Sequence, residues 1–295
     1  MNKAPTIGRE QLAELVETYR AALAARNPAL LPLSGKVRYT ENMQVLPLPE
    51  GLWSTATGTE EPQIVLLDPV SSSAAILGLG LEHGEPVGLG TRLRLEGGEV
   101  TEIESLVVRE GSMIFKPEGM RGTPMHFGPV PEGSRASREE LHDAADSYFT
   151  GIERNSGSII PAREDCIRME NGVQTVLAPA SNFGSSTAEQ GLNLFEMGLH
   201  DQMDSGFFDY IPRIRSRRFP VIDEEQSTVL GMCCFDQPGT ITKVNVKNVG
   251  EIVLPPMFRR PTSVGVFETF QVADGKIRTI NAVFDFYQYG IQPNW

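Results

Sequence analysis

The chain is written twice, and that restricts its fold more than any other feature. The segment "REQLAELVETYRAALAARNPALLPLSGKVRYTENMQV", Arg9 to Val45, lies over "REELHDAADSYFTGIERNSGSIIPAREDCIRMENGVQ", Arg138 to Gln174, at a constant offset of 129. Arg9/Arg138, Glu10/Glu139, Leu12/Leu141, Tyr19/Tyr148, Pro32/Pro161, Glu41/Glu170 and Asn42/Asn171 are identical. Leu12, Leu15, Val16, Tyr19, Ala22 and Leu23 recur at helical spacing, as do Leu141, Ala144, Ala145, Tyr148 and Ile152. Each repeat therefore opens on an amphipathic helix. Ser137 followed by Glu140 predicts a capping box at the start of the second.

The closing segments match too. "LEGGEVTEIESLVV" and "VADGKIRTINAVFD" are strand pairs around a glycine turn. Gly98 and Gly275 are 177 apart, so the second repeat holds about 48 extra residues (177 less 129), mostly between Asn182 and Arg260. The expected class is α+β: tandem repeats, each a helix packed on a curved antiparallel sheet. The first repeat is expected over 1–115, a Gly/Pro-rich linker over 116–136 and the second repeat over 137–295. The second repeat is expected to add the helical stretch "AEQGLNLFEMGLHDQMDSGFFDYIPRI" and a hairpin, "RRFPVIDEEQSTVLGMCCFDQPG".

Composition narrows the function classes. The 295 residues carry a net charge of −12, which argues against a nucleic-acid partner. No apolar run is long enough to span a bilayer, so no membrane partner is expected. The three cysteines, Cys166, Cys233 and Cys234, make a poor disulfide framework and point to a cytoplasmic protein. The start of the chain lacks the apolar core of a signal peptide.

Several residues could carry chemistry. Strand alternation puts Tyr39 and Glu41 on the inward face of one repeat, and Cys166, Arg168 and Glu170 on that of the other. An inward carboxylate must be hydrogen-bonded or shifted in pKa. Glu170 can therefore be a general acid/base tuned by Arg168, or a brace that ties down backbone N–H groups. Its presence in both repeats favours the brace. The replacement of Tyr39 by Arg168 is where the repeats diverge, and divergence is the better pointer to function.

The insertion holds His200, Tyr210, Arg213, Arg215, Arg217 and Arg218. Arginine suits an anionic oxygen, although salt bridges to the surplus acids are the plainer reading. Arg213 lies at helical spacing from Tyr210, so both can face one pocket. His126 in the linker and His200 can reach over a cavity mouth. Trp53 and Tyr287 are aromatic candidates for a binding surface, with Asp285 beside Tyr287. No HExxH, paired CxxC or compact His–carboxylate cluster appears, so no metal is expected.

The order of helix, strand and final "DGKIRTINAVF" hairpin resembles the NTF2-like or SnoaL-like cone. "VRYTENMQVLPLPEGLW", "CIRMENGVQT" and "IRSRRFPVIDEE" resemble a two-repeat branch of it, over nearly the whole chain. The superfamily includes isomerases, dehydratases, cyclases, lyases and non-enzymes, so the cone alone does not fix a chemistry. Similarity to the SnoaL-like diarylpropane lyases implies a cofactor-independent reaction. A lignin-derived 1,2-diaryl-propane-1,3-diol would lose formaldehyde through a quinone methide to give a stilbene. Glu170, Arg168, Tyr210 and His200 would be catalytic. Tyr39, Trp53, His126, Arg213, Arg218, Asp285 and Tyr287 would bind the aromatic substrate. The alternatives are an isomerase or dehydratase of a polyketide or terpenoid, and a small-molecule binding protein. The repeat would serve as an internal pseudo-dimer, so a monomer is expected beside the homodimer common to such cones.

Overall fold

A computed structural model describes residues 7–112, 114–122, 129–179 and 193–295. The first repeat opens with helix Arg9–Ala24, whose buried face is Leu12, Leu15, Val16, Tyr19, Ala22 and Leu23. Its strands are β1 (Leu33–Glu41), β2 (Gln44–Val45), β3 (Ala56–Asp68), β4 (Ser73–Glu82), β5 (Glu85–Glu96) and β6 (Glu99–Val108). The second repeat opens with helix Arg138–Arg154, capped as expected: the Ser137 hydroxyl accepts from the Glu140 amide, and Glu140 accepts from the Ser137 amide. Its strands are β7 (Ala162–Glu170), β8 (Val173–Val176), β9 (Arg213–Asp223), β10 (Thr228–Gln237), β11 (Lys243–Val246), β12 (Gly250–Val253), β13 (Thr262–Ala273) and β14 (Lys276–Gln288).

The two sheets have one topology. The first runs β2-β1-β6-β5-β4-β3 and the second β8-β7-β14-β13-β10-β9. In each the first strand pairs parallel with the last, and the rest of the sheet is antiparallel. The fold is thus α+β, with tandem helix-on-sheet repeats. The inserted hairpin is β11–β12, which forms its own two-stranded sheet. The 213–237 pair, which the sequence suggests is an addition, instead occupies the place of β3–β4. Asp223 pairs with Thr228 as Asp68 pairs with Ser73. Residues inserted before β9 shift the offset and hide this equivalence in the sequence. In the helical stretch of the insertion, Leu199–Met203 is α-helix, and short 3-10 turns flank it at Asn193–Glu196 and Phe207–Tyr210. The start of that stretch lies outside the described residues.

The repeated Asn is a turn device. Asn42 and Asn171 adopt φ of 50° and 46°, a left-handed conformation that asparagine tolerates. The Asn42 side chain accepts from the Val107 amide (2.7 Å) and donates to its carbonyl (3.1 Å). Asn171 does the same to Phe284, at 3.0 and 2.8 Å. Each side chain therefore extends the parallel ladder by one rung where the backbone turns away.

The repeats pack through an apolar seam that includes Ile64, Leu66, Leu77, Val221, Leu230 and Phe267. Two reciprocal clamps flank it. Arg9 donates to Asp223 at 2.7 and 2.9 Å, and Asp223 also accepts from the Leu67 amide (2.9 Å). Arg138 donates to Asp68 at 3.0 and 2.7 Å, and Asp68 also accepts from the Ile222 amide (2.9 Å). The duplicated arginines thus join one repeat to the other in pseudo-twofold fashion. Among the described residues no helix is long and apolar enough to cross a membrane.

Candidate active site

Strand β7 puts Arg168 and Glu170 two residues apart, so both point to the same side of the second sheet. They open into a cavity of about 490 Å3 between sheet, helix and insertion. The floor is polar. Arg168 is buried and donates from Nε to Thr175 Oγ1 (2.9 Å), from Nη1 to the Tyr148 hydroxyl (3.2 Å), and from Nη2 to Gln202 Oε1 (2.6 Å). Glu170 Oε2 lies 3.5 Å from Arg168 Nε and makes no hydrogen bond among the described residues. Its side chain is 23% exposed, so it faces open space.

Across the floor stands Glu268, in the middle of β13. The register runs Glu170–Ala282–Glu268, one rung spanning three strands. Strand spacing puts the two glutamate Cα atoms roughly 10 Å apart, room for a ligand between the carboxyl groups. Burial, reinforced by the nearby Glu170 charge, pushes the Glu268 carboxyl up to about 8, while Arg168 and Tyr148 act in the opposite direction. At neutral pH it is a proton donor. Burial also raises the Tyr148 and Tyr210 hydroxyls, so both stay neutral.

The walls are mostly apolar. Phe207, Phe208 and Tyr210 come from the 3-10 turn of the insertion, with Phe258 against Tyr210 (centroids 4.9 Å) and Phe284 and Phe286 from β14. The Tyr210 hydroxyl makes no hydrogen bond among the described residues. The end of the first repeat and the start of the linker close one side with Ile114, Phe115 and Lys116. Their position is fixed by Asn171, whose side chain donates to the Ile114 carbonyl (2.8 Å) and whose carbonyl accepts from the Lys116 amide (2.9 Å).

Of the candidates expected from sequence, Arg168, Glu170 and Tyr210 meet in this cavity. The others are placed elsewhere. His200 bonds the Ile160 carbonyl through Nε2 (3.1 Å) and does not line the cavity. Arg213 is bound to Asp236 (2.9 Å) and Arg218 to Glu104 of the first repeat (3.2 Å), the salt-bridge reading of the arginine run. Asp285 accepts from Ser112 (2.9 Å), and the ring of Tyr287 packs at Gly265 beside Met43. Tyr39 and Trp53 belong to the first repeat: Tyr39 donates to Glu41 (2.6 Å), and Trp53 is buried edge-on against Tyr19. His126 lies outside the described residues.

Sequence reasoning missed Glu268, Tyr148, Gln202 and Lys116 as site residues. A lone carboxylate inside the apolar run "VGVFETF" was the available signal for Glu268. Among the described residues no group of three or more His, Cys, Asp or Glu is arranged to hold a metal ion.

A family model described as a domain of unknown function, DUF8021, matches residues 134–284, the repeat that contains the cavity. No curated protein matches the chain. Similar solved structures include an NTF2-like protein of unknown function from Cytophaga hutchinsonii, 16% identical, covering 36% of this chain and 94% of its own, with a TM-score of 0.26. A presumed isomerase from Bacillus subtilis is 10% identical and covers 53% of this chain and 90% of its own, with a TM-score of 0.31. A de novo designed protein with a curved β-sheet is 15% identical and covers 51% of this chain and 88% of its own, with a TM-score of 0.26.

Proposed function

The chain belongs to the DUF8021 family, and on the geometry of its second repeat we propose that it is an enzyme moving protons on a largely apolar, ring-bearing small molecule. One observation carries this reading: Glu170 and Glu268 face one apolar cavity from a single rung, in contrasting environments. Arg168 lies beside Glu170, whereas Glu268 is buried and holds its proton up to about 8. A carboxyl that holds its proton can act as the acid, with the second carboxyl across the cavity as the base.

Glu170 takes the proton from carbon or oxygen of the bound molecule, and Glu268 supplies one at the other end of the reacting unit. The proton lost and the proton gained balance without an oxidant or reductant. Arg168 positions Glu170, and its own donors are engaged by Thr175, Tyr148 and Gln202. Tyr210 offers a further hydroxyl to a ligand oxygen. This pair serves an isomerase or a dehydratase of a polyketide or terpenoid equally well.

It also serves the lyase reading. Glu268 would protonate the benzylic hydroxyl of a phenolic 1,2-diaryl-propane-1,3-diol, which leaves as water while the phenol releases its proton to solvent, giving a quinone methide. Glu170 would take the proton of the terminal hydroxymethyl group. Formaldehyde departs, and the electrons of the broken carbon–carbon bond rearomatise the quinone methide to the stilbene, whose phenolate takes a proton back from solvent. The ring-lined walls support a diaryl substrate.

The test is incubation in D2O, without added cofactor, of erythro-1,2-diguaiacylpropane-1,3-diol and a panel of polycyclic ketones and alcohols. Stilbene and formaldehyde in equal amounts select the lyase. Deuterium uptake without change of skeleton selects the isomerase. Either activity is expected to vanish in Glu170→Gln and Glu268→Gln and to survive in Glu41→Gln. Compounds that bind but neither exchange nor react would refute the enzyme and leave a binding protein.

A further inference from the structure

Four ionisable side chains of opposite or like sign line the cavity besides its tyrosines: Arg168, Glu170, Glu268 and Lys116. The first three form the floor. Arg168 cannot also grip a ligand anion well, because each of its nitrogens already donates to Thr175, Tyr148 or Gln202. Arg213 and Arg218 are held by Asp236 and Glu104. Lys116 differs from all of them. Its side chain is exposed, and it makes no ion pair or side-chain hydrogen bond among the described residues, in a chain of net charge −12.

Its place is fixed by the backbone. The Lys116 amide donates to the Asn171 carbonyl (2.9 Å), one residue beyond Glu170. The Lys116 carbonyl is pressed against Gly172, where a Cβ would meet it at 2.1 Å, and Gly172 has φ of +85°. The lysine is thereby anchored at the rim beside the proposed base, with its ammonium free to swing over the opening.

Resting on the proposed function, we infer that Lys116 selects substrates carrying a carboxylate: the apolar body enters the cavity and the carboxylate stays at the rim, paired with the ammonium. An ammonium without an acidic partner among the described residues matches an anion already formed at neutral pH. A phenol ionises only near pH 10 and does not meet that condition. A carboxylate at the rim also keeps its charge away from Glu170 and Glu268.

The test uses the intact chain and a neutral fluorescent reporter, N-phenyl-1-naphthylamine, displaced by 2-naphthoate or by the uncharged 2-naphthylmethanol. Naphthoate is expected to bind more tightly than the alcohol. In Lys116→Met, and in 0.5 M NaCl, that preference should shrink about fivefold, with the alcohol unchanged. Lys116 is exposed, so its replacement leaves the fold intact. Equal affinity for the two ligands, or a loss in Lys116→Met shared by both, overturns the role of Lys116 and leaves the cavity reading standing. Reporter binding that is absent, or that survives filling the cavity with Val266→Trp, removes the cavity as a ligand site and the Lys116 inference with it.

Discussion

The two repeats share helix, sheet order and turn, yet one is closed and the other open. At matching rungs the first repeat places Glu41, Ser105 and Thr91, and the second places Glu170, Ala282 and Glu268. In the first, Tyr19, Thr91 and Ser105 pass hydroxyl hydrogen bonds at 3.1 Å each, and Trp53 fills the space beside them. Glu41 is consumed by the Tyr39 hydroxyl and the Leu52 amide, both at 2.6 Å. In the second, Tyr39 has become Arg168, Thr91 has become Glu268, and the space holds a cavity. The same helix-on-sheet repeat can be a packed core or a site, depending on whether its inward polar groups satisfy one another.

The largest expected effect sharpens that contrast. Arg168→Leu strips partners from Tyr148, Thr175, Gln202 and Glu170, all grouped at the cavity floor. It should lose ~3–5 kcal/mol in urea denaturation. Its counterpart Tyr39→Phe removes one hydroxyl and should lose about 1 kcal/mol. Equal losses would mean that the floor of the second repeat is no more demanding than the packed first.

Next comes truncation of an aromatic in each repeat. Trp53→Ala leaves a void in a closed core and should lose ~3–5 kcal/mol. Phe258→Ala enlarges a space that is already open, because Phe258 is a half-buried wall of the cavity. It should lose less than about 1.5 kcal/mol while weakening binding of N-phenyl-1-naphthylamine. A severe loss of stability at Phe258 would show that the second cavity is closed in solution.

The third prediction concerns pH, and only the second repeat should supply it. Glu268 keeps its proton in the folded chain up to about 8, against an ordinary value near 4.5. Between those values the unfolded chain has already lost the proton, so stability falls as pH rises through the window and levels off above it. The slope is at most about 1.4 kcal/mol per pH unit. Glu268→Gln should flatten this slope and be the more stable protein at pH 9, as read by denaturation at a series of pH values. Turnover should decline above about pH 8, where the acid is spent. The residue at the matching rung, Thr91, has no proton to lose in this range.

Much of this architecture was legible in the chain. The constant offset exposed the repeat, the 3.6-residue periodicity marked both opening helices, and the glycine turns marked both closing hairpins. The Tyr39-to-Arg168 exchange singled out a residue that lines the cavity of the second repeat, although the sequence alone did not say which repeat is open. Inserted residues hid the equivalence of β9–β10 with β3–β4, because direct alignment cannot see across a length change. Arg213 and Arg218 looked like anion ligands because their partners, Asp236 and Glu104, are remote in sequence. Glu268 went unread for a related reason. A single buried carboxylate has no spacing motif, and only sheet register sets it opposite Glu170.

The smallest stability effect separates the two glutamates that the sequence presents as equivalent. Glu41 is buried and accepts two 2.6 Å hydrogen bonds, with Arg109 at 3.3 Å. Removing its charge in Glu41→Gln weakens all three contacts and should lose about 1–2 kcal/mol. Glu170 accepts no hydrogen bond among the described residues, lies 3.5 Å from Arg168 and opens to the cavity, so Glu170→Gln should change stability by less than about 0.5 kcal/mol while abolishing turnover. Urea denaturation and the D2O assay on the same two variants read both axes. The reverse outcome, a stable Glu41→Gln beside a destabilised but active Glu170→Gln, would make Glu170 the structural brace and return the chemistry to other groups in the cavity. The expected outcome would show that duplication kept the residue while its surroundings changed its task.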